Sequence, residues 1–154
     1  MRLDALCLLS DAQTFSATGV STNTYDLGST TPVRRVGDGE PIAVVIQIDQ
    51  AADFTTGDET YSFEAIQSAA AALTTPTILA REAYIASGAL ITTLLVAGYI
   101  IVLPIPSGIP IQRFIGLNMT LAGTTPSLIL TAAVTPLSSV GVRPQTYAKG
   151  YTIT

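Results

Sequence analysis

The sequence predicts an all-β fold, a single jelly-roll-like domain built as a β-sandwich or barrel, and two observations predict it. The stretch from Ser10 to Gly28 places apolar and small residues at odd positions and hydroxyl or acidic residues at even ones. This period of two is typical of strands that bury one face. Further segments of strand length follow, roughly eight to ten in all, with turn residues between them. They do not alternate with helices and show no long internal repeat, which argues against α/β and solenoid folds.

The first half of the chain consists mostly of strand patterns. Gly19 and the polar run after it split the opening stretch into two strands. In the segment 59–67, Tyr61, Phe63 and Ala65 share one predicted face, and Ser62 and Glu64 share the other. The predicted segments are an apolar strand or arm at 3–9, strands at 14–18 and 23–27, a loop at 30–39, a buried strand at 41–49, a polar loop at 51–58 and a strand at 59–67.

The second half repeats the pattern with one ambiguous segment. The alanine-rich residues 68–75 leave a short helix open, although Pro76 would end it at once. The segment 111–121 forms one apolar face, with Ile115, Leu117, Met119 and Leu121 at alternate positions. The other predicted segments are an edge strand at 77–81, strands at 90–96, 99–105 and 127–137, and a tail at 138–154.

Residues 83–110 form an apolar stretch with almost no charge, and a membrane-spanning helix is the alternative interpretation. Glycine and proline divide this stretch into pieces of strand length, and β-branched residues dominate the second piece. We therefore interpret it as two strands separated by Ala97-Gly98. Asp4 stands where a signal peptide has bare positive charge, so we expect neither export nor a membrane partner.

The low charge content favours a chain whose outside is covered in an assembly. Of the 154 residues, 48% are hydrophobic and 12% are charged, whereas typical domains carry about 25% charged residues. A small, well-packed β protein with Thr and Ser on its surface is the alternative. We divide the chain into an N-terminal arm (1–12), a β domain (13–137) and a C-terminal tail (138–154).

The net charge of −4 argues against a nucleic-acid partner, because binding phosphates requires clustered Lys and Arg. Arg34 and Arg35 form the only basic pair, which we interpret as a solvated turn or a contact to an acidic partner. The single cysteine, Cys7, excludes an intramolecular disulfide and is interpreted as a small buried hydrophobe.

No arrangement of residues in the sequence predicts catalysis. The chain has no histidine, so histidine-based triads and imidazole metal ligands are excluded. Glu59 and Glu64 lie on one predicted strand at opposite faces, unlike the carboxylate pair of a glycosidase. We expect no enzyme activity, no cofactor and no metal. A calcium site is the minor alternative to a solvated acidic loop for four acids: Asp49, Asp53, Asp58 and Glu59.

Several short motifs follow one another along the chain. They are Asp4-Ala5-Leu6, Ser10 to Gln13, Ser21 to Asn23, Asp26 to Gly28, GDGEP at 37–41, AIQSAAAALTTPTIL at 65–79, VAGYIIVLPIPSG at 96–108, QRFIGLN at 112–118 and YAKGY at 147–151. In these motifs and their order the chain resembles the capsid cement (head decoration) proteins of tailed bacteriophages, of the Bordetella-phage type. Gly116, where the family pattern has a longer side chain, and residues 127–145 depart from it.

The resemblance implies a jelly-roll-like homotrimer on the outside of an icosahedral phage head, in a virion assembled in the host cytoplasm. Such a protein bridges neighbouring major capsid proteins through several contacts, each of which is weak alone. Exposed chain ends with apolar anchors usually need a partner, so we expect intersubunit or capsid contacts near both termini. The expected contact residues are Leu3, Leu6, Leu8, Arg143, Tyr147, Lys149 and Tyr151.

A glycan-binding β-sandwich on a virion or cell surface is the alternative function. Such a module needs exposed aromatic side chains. The chain has no tryptophan and only 6% aromatic residues, which counts against this alternative.

Overall fold

Nine β-strands and one short α-helix make up the part of the chain that the structure describes. The structure is a computed structural model, and it describes residues 5–28, 41–84, 88–106 and 108–140. The elements are β1 (Leu8–Phe15), β2 (Gly19–Val20), β3 (Tyr25–Asp26), β4 (Ile42–Gln50), β5 (Thr60–Ser68), β6 (Thr77–Tyr84), α1 (Gly88–Leu94), β7 (Ile100–Pro104), β8 (Phe114–Ala122) and β9 (Leu128–Pro136), with 3-10 turns at Ala5–Cys7 and Leu137–Ser139.

The strands form two antiparallel sheets in jelly-roll order. The first sheet has the order β1-β9-β4-β7, and the second has the order β2-β8-β5-β6, with β3 also paired to β8. If β2 and β3 are counted as one interrupted strand, the first strand pairs with the last, the second with the seventh, the third with the sixth and the fourth with the fifth. This nested pairing is that of a double Greek key. The predicted all-β, jelly-roll-like sandwich is confirmed.

The core lies between the sheets and follows the predicted period of two. On β8 the four residues of the predicted apolar face, Ile115, Leu117, Met119 and Leu121, are all buried. The facing sheet contributes alternate residues of β4 and β9, such as Ile46 and Leu130. Burying a side chain of this size contributes about 1.5–3 kcal/mol, so these alternating positions fix which face of each strand points inward.

The first strand begins earlier and ends earlier than predicted. It spans Leu8–Phe15, so residues 8–12 of the predicted arm belong to the sheet, and Leu9 is fully buried. The predicted strand at 14–18 is wrong after Phe15, because the chain bends there. Thr18 fixes this bend: its hydroxyl donates to the carbonyl of Leu121 and accepts the Leu121 N–H, at 3.1 and 3.0 Å.

One predicted strand is a helix. The first of the two strands predicted within 83–110, at 90–96, is wrong, because residues 88–94 form α1. Ile91 and Leu95, one helical turn apart, are both fully buried, whereas Thr92 and Thr93 between them are exposed. This spacing follows the helical period and not the period of a strand. The second predicted strand, at 99–105, is confirmed as β7.

The alanine-rich segment does not form the short helix that the sequence left open. Residues 69–76, which we call the strap, connect β5 to β6 through bends and one turn. Within the strap, Leu73 and Thr75 have φ angles of 52° and 49°, in the left-handed region. A left-handed residue other than glycine interrupts a right-handed helix and costs about 1–2 kcal/mol.

Tyr61 ties together the two long loops at one end of the sandwich. Its side chain is fully buried. Its hydroxyl donates to the carbonyl of Asp53 at 2.6 Å and accepts the N–H of Ser127 at 3.2 Å. Burial, reinforced by the nearby carboxylates of Asp53 and Glu59, raises the pKa of Tyr61 to about 12. The phenol therefore stays protonated and acts as a fixed hydrogen-bonding bridge between the loops.

We expect Tyr61→Phe to lower the free energy of unfolding by about 1–3 kcal/mol, because the loop groups that the hydroxyl satisfies would lose their partner. Urea unfolding followed by circular dichroism measures this loss. Tyr99→Phe is the matched control, since the half-buried Tyr99 packs against the core without a side-chain hydrogen bond to another described residue. Equal losses in the two variants would contradict the bridging role of Tyr61.

Candidate docking surface

The structure describes two of the seven residues predicted to make contacts. Leu6 lies on the 3-10 turn before β1, and 73% of its surface is exposed. Leu8 is half-buried on β1, opposite Ala133 of β9. The other five predicted contact residues lie outside the described residues: Leu3, Arg143, Tyr147, Lys149 and Tyr151.

Strand directions bring Leu6 to one end of the sandwich, which we call the apolar end. β1, β4 and β8 begin there, and β5, β7 and β9 end there. Two backbone hydrogen bonds close this end, from the N–H of Leu137 to the carbonyl of Pro41 at 2.7 Å and from the N–H of Ile105 to the carbonyl of Ile42 at 3.0 Å. In the described ranges, four large apolar residues with at least a third of their surface exposed lie at or near it: Leu6, Ile78, Ile109 and Leu137.

Among the described residues, Arg113 and Asp26 form an ion pair near the apolar end. The guanidinium of Arg113 donates to both carboxylate oxygens of Asp26, each at 2.8 Å, and lies 4.8 Å from the centre of the Phe114 ring. Asp26 also accepts the N–H of Gly28 at 2.8 Å. The Asp26-to-Gly28 motif is thus part of an ion pair that fixes β3 against the start of β8. The exposed apolar groups consequently lie beside a paired charge.

The opposite end of the sandwich is acidic, and its acids are held by hydroxyl groups. The Thr124 hydroxyl donates to Asp58 at 2.8 Å and holds the pKa of that carboxyl below its ordinary value. Hydrogen bonds from Thr55 lower the pKa of Asp53, and those from Thr56 lower the pKa of Glu59. We call this the acidic end.

The acidic end does not assemble a metal centre in the part of the chain that the structure describes. No group of three or more His, Cys, Asp or Glu side chains there is placed to hold an ion. Asp49, the fourth acid considered for calcium, instead accepts the hydroxyl of Thr131 at 2.6 Å on the first sheet. Each carboxylate of the predicted loop is therefore used in a hydrogen bond within the fold.

The Ser10-to-Gln13 motif forms a β-bulge on edge strand β1. The register between β1 and β9 shifts between Ser10 and Gln13, and Ala12 has a φ of 43°. The Ser10 hydroxyl donates to Gln13 Oε1 at 2.7 Å, and the N–H of Ala12 donates to the Thr131 hydroxyl at 3.0 Å. The motif thus has a structural role, which is to bend the edge of the first sheet.

The outer face of the second sheet carries an ion pair with a buried carboxylate, which the alternating pattern did not reveal. Glu64, placed by the sequence on the polar face, is only 4% exposed. It accepts Arg81 Nε at 2.7 Å and Asn118 Nδ2 at 2.7 Å. Arg81 and Arg113 are the basic residues of the described ranges, and each is paired to a carboxylate. Both guanidinium groups are thus engaged within the fold and not placed to bind the phosphates of a nucleic-acid backbone.

No helix within the described ranges has the length and hydropathy to cross a membrane. A protein-family model described as Bbp16 matches residues 9–134, which are 126 of the 154 residues. The match begins after the predicted contact residues Leu3, Leu6 and Leu8 and ends before the predicted tail. No curated protein matches the chain.

We expect Thr124→Val to raise the pKa of Asp58 towards its ordinary value, because the carboxylate loses its strongest hydrogen bond. A lowered pKa stabilises the fold above the pKa of the unfolded chain, and this contribution disappears as the pH falls through the folded value. The variant should therefore melt at a lower temperature than the parent near pH 7, and the difference should shrink as the pH falls below the ordinary pKa of an Asp carboxyl. Carboxyl NMR titration checks the assignment, with Asp53 and Glu59 as internal controls that keep their lowered pKa values.

Proposed function

Because the chain belongs to the Bbp16 family, a family of Bordetella phage proteins, we propose that it is a capsid cement protein. In this proposal it binds the outside of the phage head as a homotrimer and joins neighbouring major capsid proteins. The role is structural, with no enzymatic step, cofactor, membrane or nucleic-acid partner. The single observation that carries it, beyond the family, is the exposed apolar end around Leu6.

The apolar end supports docking because its described residues expose apolar surface beside a charge pair, Arg113 and Asp26, that is mutually neutralised. A side chain such as Leu6, 73% exposed, gains stability when a partner removes it from water. Ile109 and Leu137 lie at the same end and are exposed by 41% and 36%. Scattered apolar residues are ordinary on a surface, but several at one end favour a protein partner.

The charge distribution supports a protein partner over a nucleic acid. The described cations, Arg81 and Arg113, are engaged with Glu64 and Asp26. The acidic end presents carboxylates, which repel phosphates. A cement protein needs neither a basic groove nor a reactive group, since its work is to add buried area between subunits.

A trimer strengthens such docking through avidity. Each copy presents one apolar end, and a contact of modest area is weak alone. Three linked contacts on adjacent capsid subunits bind far more tightly than one, because the second and third bind at a high effective concentration.

Light scattering should give a mass three times the 16.0 kDa of the chain, and a monomer would contradict this part of the proposal.

We expect the purified protein to co-sediment with undecorated phage heads and to raise the temperature at which the heads release DNA. Leu6→Asp should weaken head binding by at least about tenfold, because a charge replaces the most exposed apolar group of the docking end. Val96→Asp is the matched control: Val96 is also exposed, at 39%, but lies next to α1, away from the apolar end.

Two results would count against the proposal. Failure of the unchanged protein to bind heads would reject the cement role, and binding to a glycan array in its place would favour the sandwich module. Equal weakening by Leu6→Asp and Val96→Asp would reject the apolar end as the docking surface. Circular dichroism of both variants confirms that the comparison is made on folded protein.

A further inference from the structure

The strap, residues 69–76, buries one of its side chains, that of Leu73, against the outer face of the second sheet. Leu73 is 4% exposed, whereas the other residues of the strap are exposed or half-exposed. Hydrogen bonds also hold the strap: the N–H of Leu73 donates to the carbonyl of Ala70 at 3.0 Å, and the Ser68 hydroxyl donates to the carbonyl of Thr74 at 2.8 Å and accepts the N–H of Ala70 at 3.1 Å. The closed position of the strap thus depends on the burial of Leu73 and on the bridge that Ser68 makes.

The hollow that receives Leu73 exists because residue 116 is glycine. A Cβ atom at Gly116 would lie 2.3 Å from Cδ1 of Leu73 and 3.1 Å from its Cδ2. Glycine in the middle of a strand weakens the strand, and it is typical of places where another group approaches closely. Glycine at position 116 therefore lowers the stability of β8 but leaves the room that the Leu73 side chain occupies.

The closed strap is strained at two positions. Leu73 and Thr75 both have left-handed φ angles, which neither a bulky nor a β-branched residue favours. Thr75 also precedes Pro76, and a residue before proline is pushed towards extended conformations. Opening the strap would relieve both positions, and this relief offsets part of the loss of Leu73 burial.

Opening would also uncover an apolar strip. Gly116 pairs with Ile66 of β5, and Ile66 pairs with Ile78 of β6, so the three positions form one row across the outer face. Ile66 is fully buried on that face, and Ile78 is already 45% exposed. With Leu73 lifted from Gly116, the row and the freed Leu73 side chain would form one continuous apolar surface near the apolar end.

We propose that the strap is a latch, closed in the free protein and opened when the protein docks on the phage head. The proposal rests on the cement function proposed above and names the segment that changes on docking. In the closed state Leu73 fills the hollow over Gly116, Ile66 is buried, and Ile78 at the end of the row is already partly exposed. In the open state Leu73 and the row pack against an uncharged surface of the major capsid protein.

Two variants shift the latch in opposite directions. Thr75→Asn favours the closed state, because asparagine adopts left-handed φ several times more readily than a β-branched residue. Gly116→Ala favours the open state, because its methyl group occupies the hollow. Thr74→Asn is the matched control, with the same substitution at the neighbouring exposed threonine, whose φ is not positive.

Affinity for undecorated heads, measured by co-sedimentation, tests the latch. We expect Thr75→Asn to bind about threefold more weakly than the parent, in line with the several-fold preference of asparagine. Thr74→Asn should bind as the parent does, and folded Gly116→Ala should bind more tightly although it melts at a lower temperature. Amide hydrogen exchange over 69–76 in the free protein should be slower in Thr75→Asn than in Thr74→Asn.

The outcomes separate the latch from the function on which it rests. If the parent binds heads and Thr75→Asn binds equally well, the latch is overturned and the cement function stands. If the parent does not bind heads, both are overturned. Weaker binding by folded Gly116→Ala would also overturn the latch, and if that variant does not fold, Thr75→Asn against Thr74→Asn decides alone.

Discussion

The pairing of the first strand with the last is the constraint on which the rest of the structure depends. β9 lies between β1 and β4, and its register sets Leu8 opposite Ala133 and Ala133 opposite Val45. Both ends of the described chain are thereby brought to the same end of the sandwich. The exposed Leu6 and the turn at Leu137 lie at the same end because of this pairing, and the β4–β7 pairing brings the loop after β7 to that end too. Since the partners are far apart in sequence, the loop-closure cost is high and must be offset by the two-sheet core.

The fold class was predictable because burial on one face imposes a period of two. On β8 the pattern was complete, and the structure buries each of the four residues. The pattern failed at 88–94, where a short apolar run is compatible with either a strand or a helix. The run became a helix because Ile91 and Leu95 both reach the core from one side, and this depends on where β6 ends and β7 begins. Such long-range information is absent from a local pattern.

The candidate docking surface was predictable only in part. Leu6 was expected as a contact residue because it is apolar and close to a chain end, and the structure exposes it. Ile78 and Ile109 were not singled out, because their exposure depends on which strand lies at an edge and on how a loop closes. Glu64 was missed for a similar reason. Its partners lie 17 and 54 residues away in sequence and reach it only through strand pairing. Two of the early motifs have structural roles. Ser10 to Gln13 form a bulge, and Asp26 forms an ion pair with Arg113.

The bulges have a consequence for contacts between copies of the free protein. An uninterrupted outer strand would recruit the same strand of another copy into a growing ribbon. On β1 the register is broken between Ser10 and Gln13, and on β6 it is broken at Leu79, where Ala80 and Ile78 pair with consecutive residues of β5. Arg81 and Glu82 add charge to that second edge. Both long outer strands are therefore poor templates for pairing between copies of the chain.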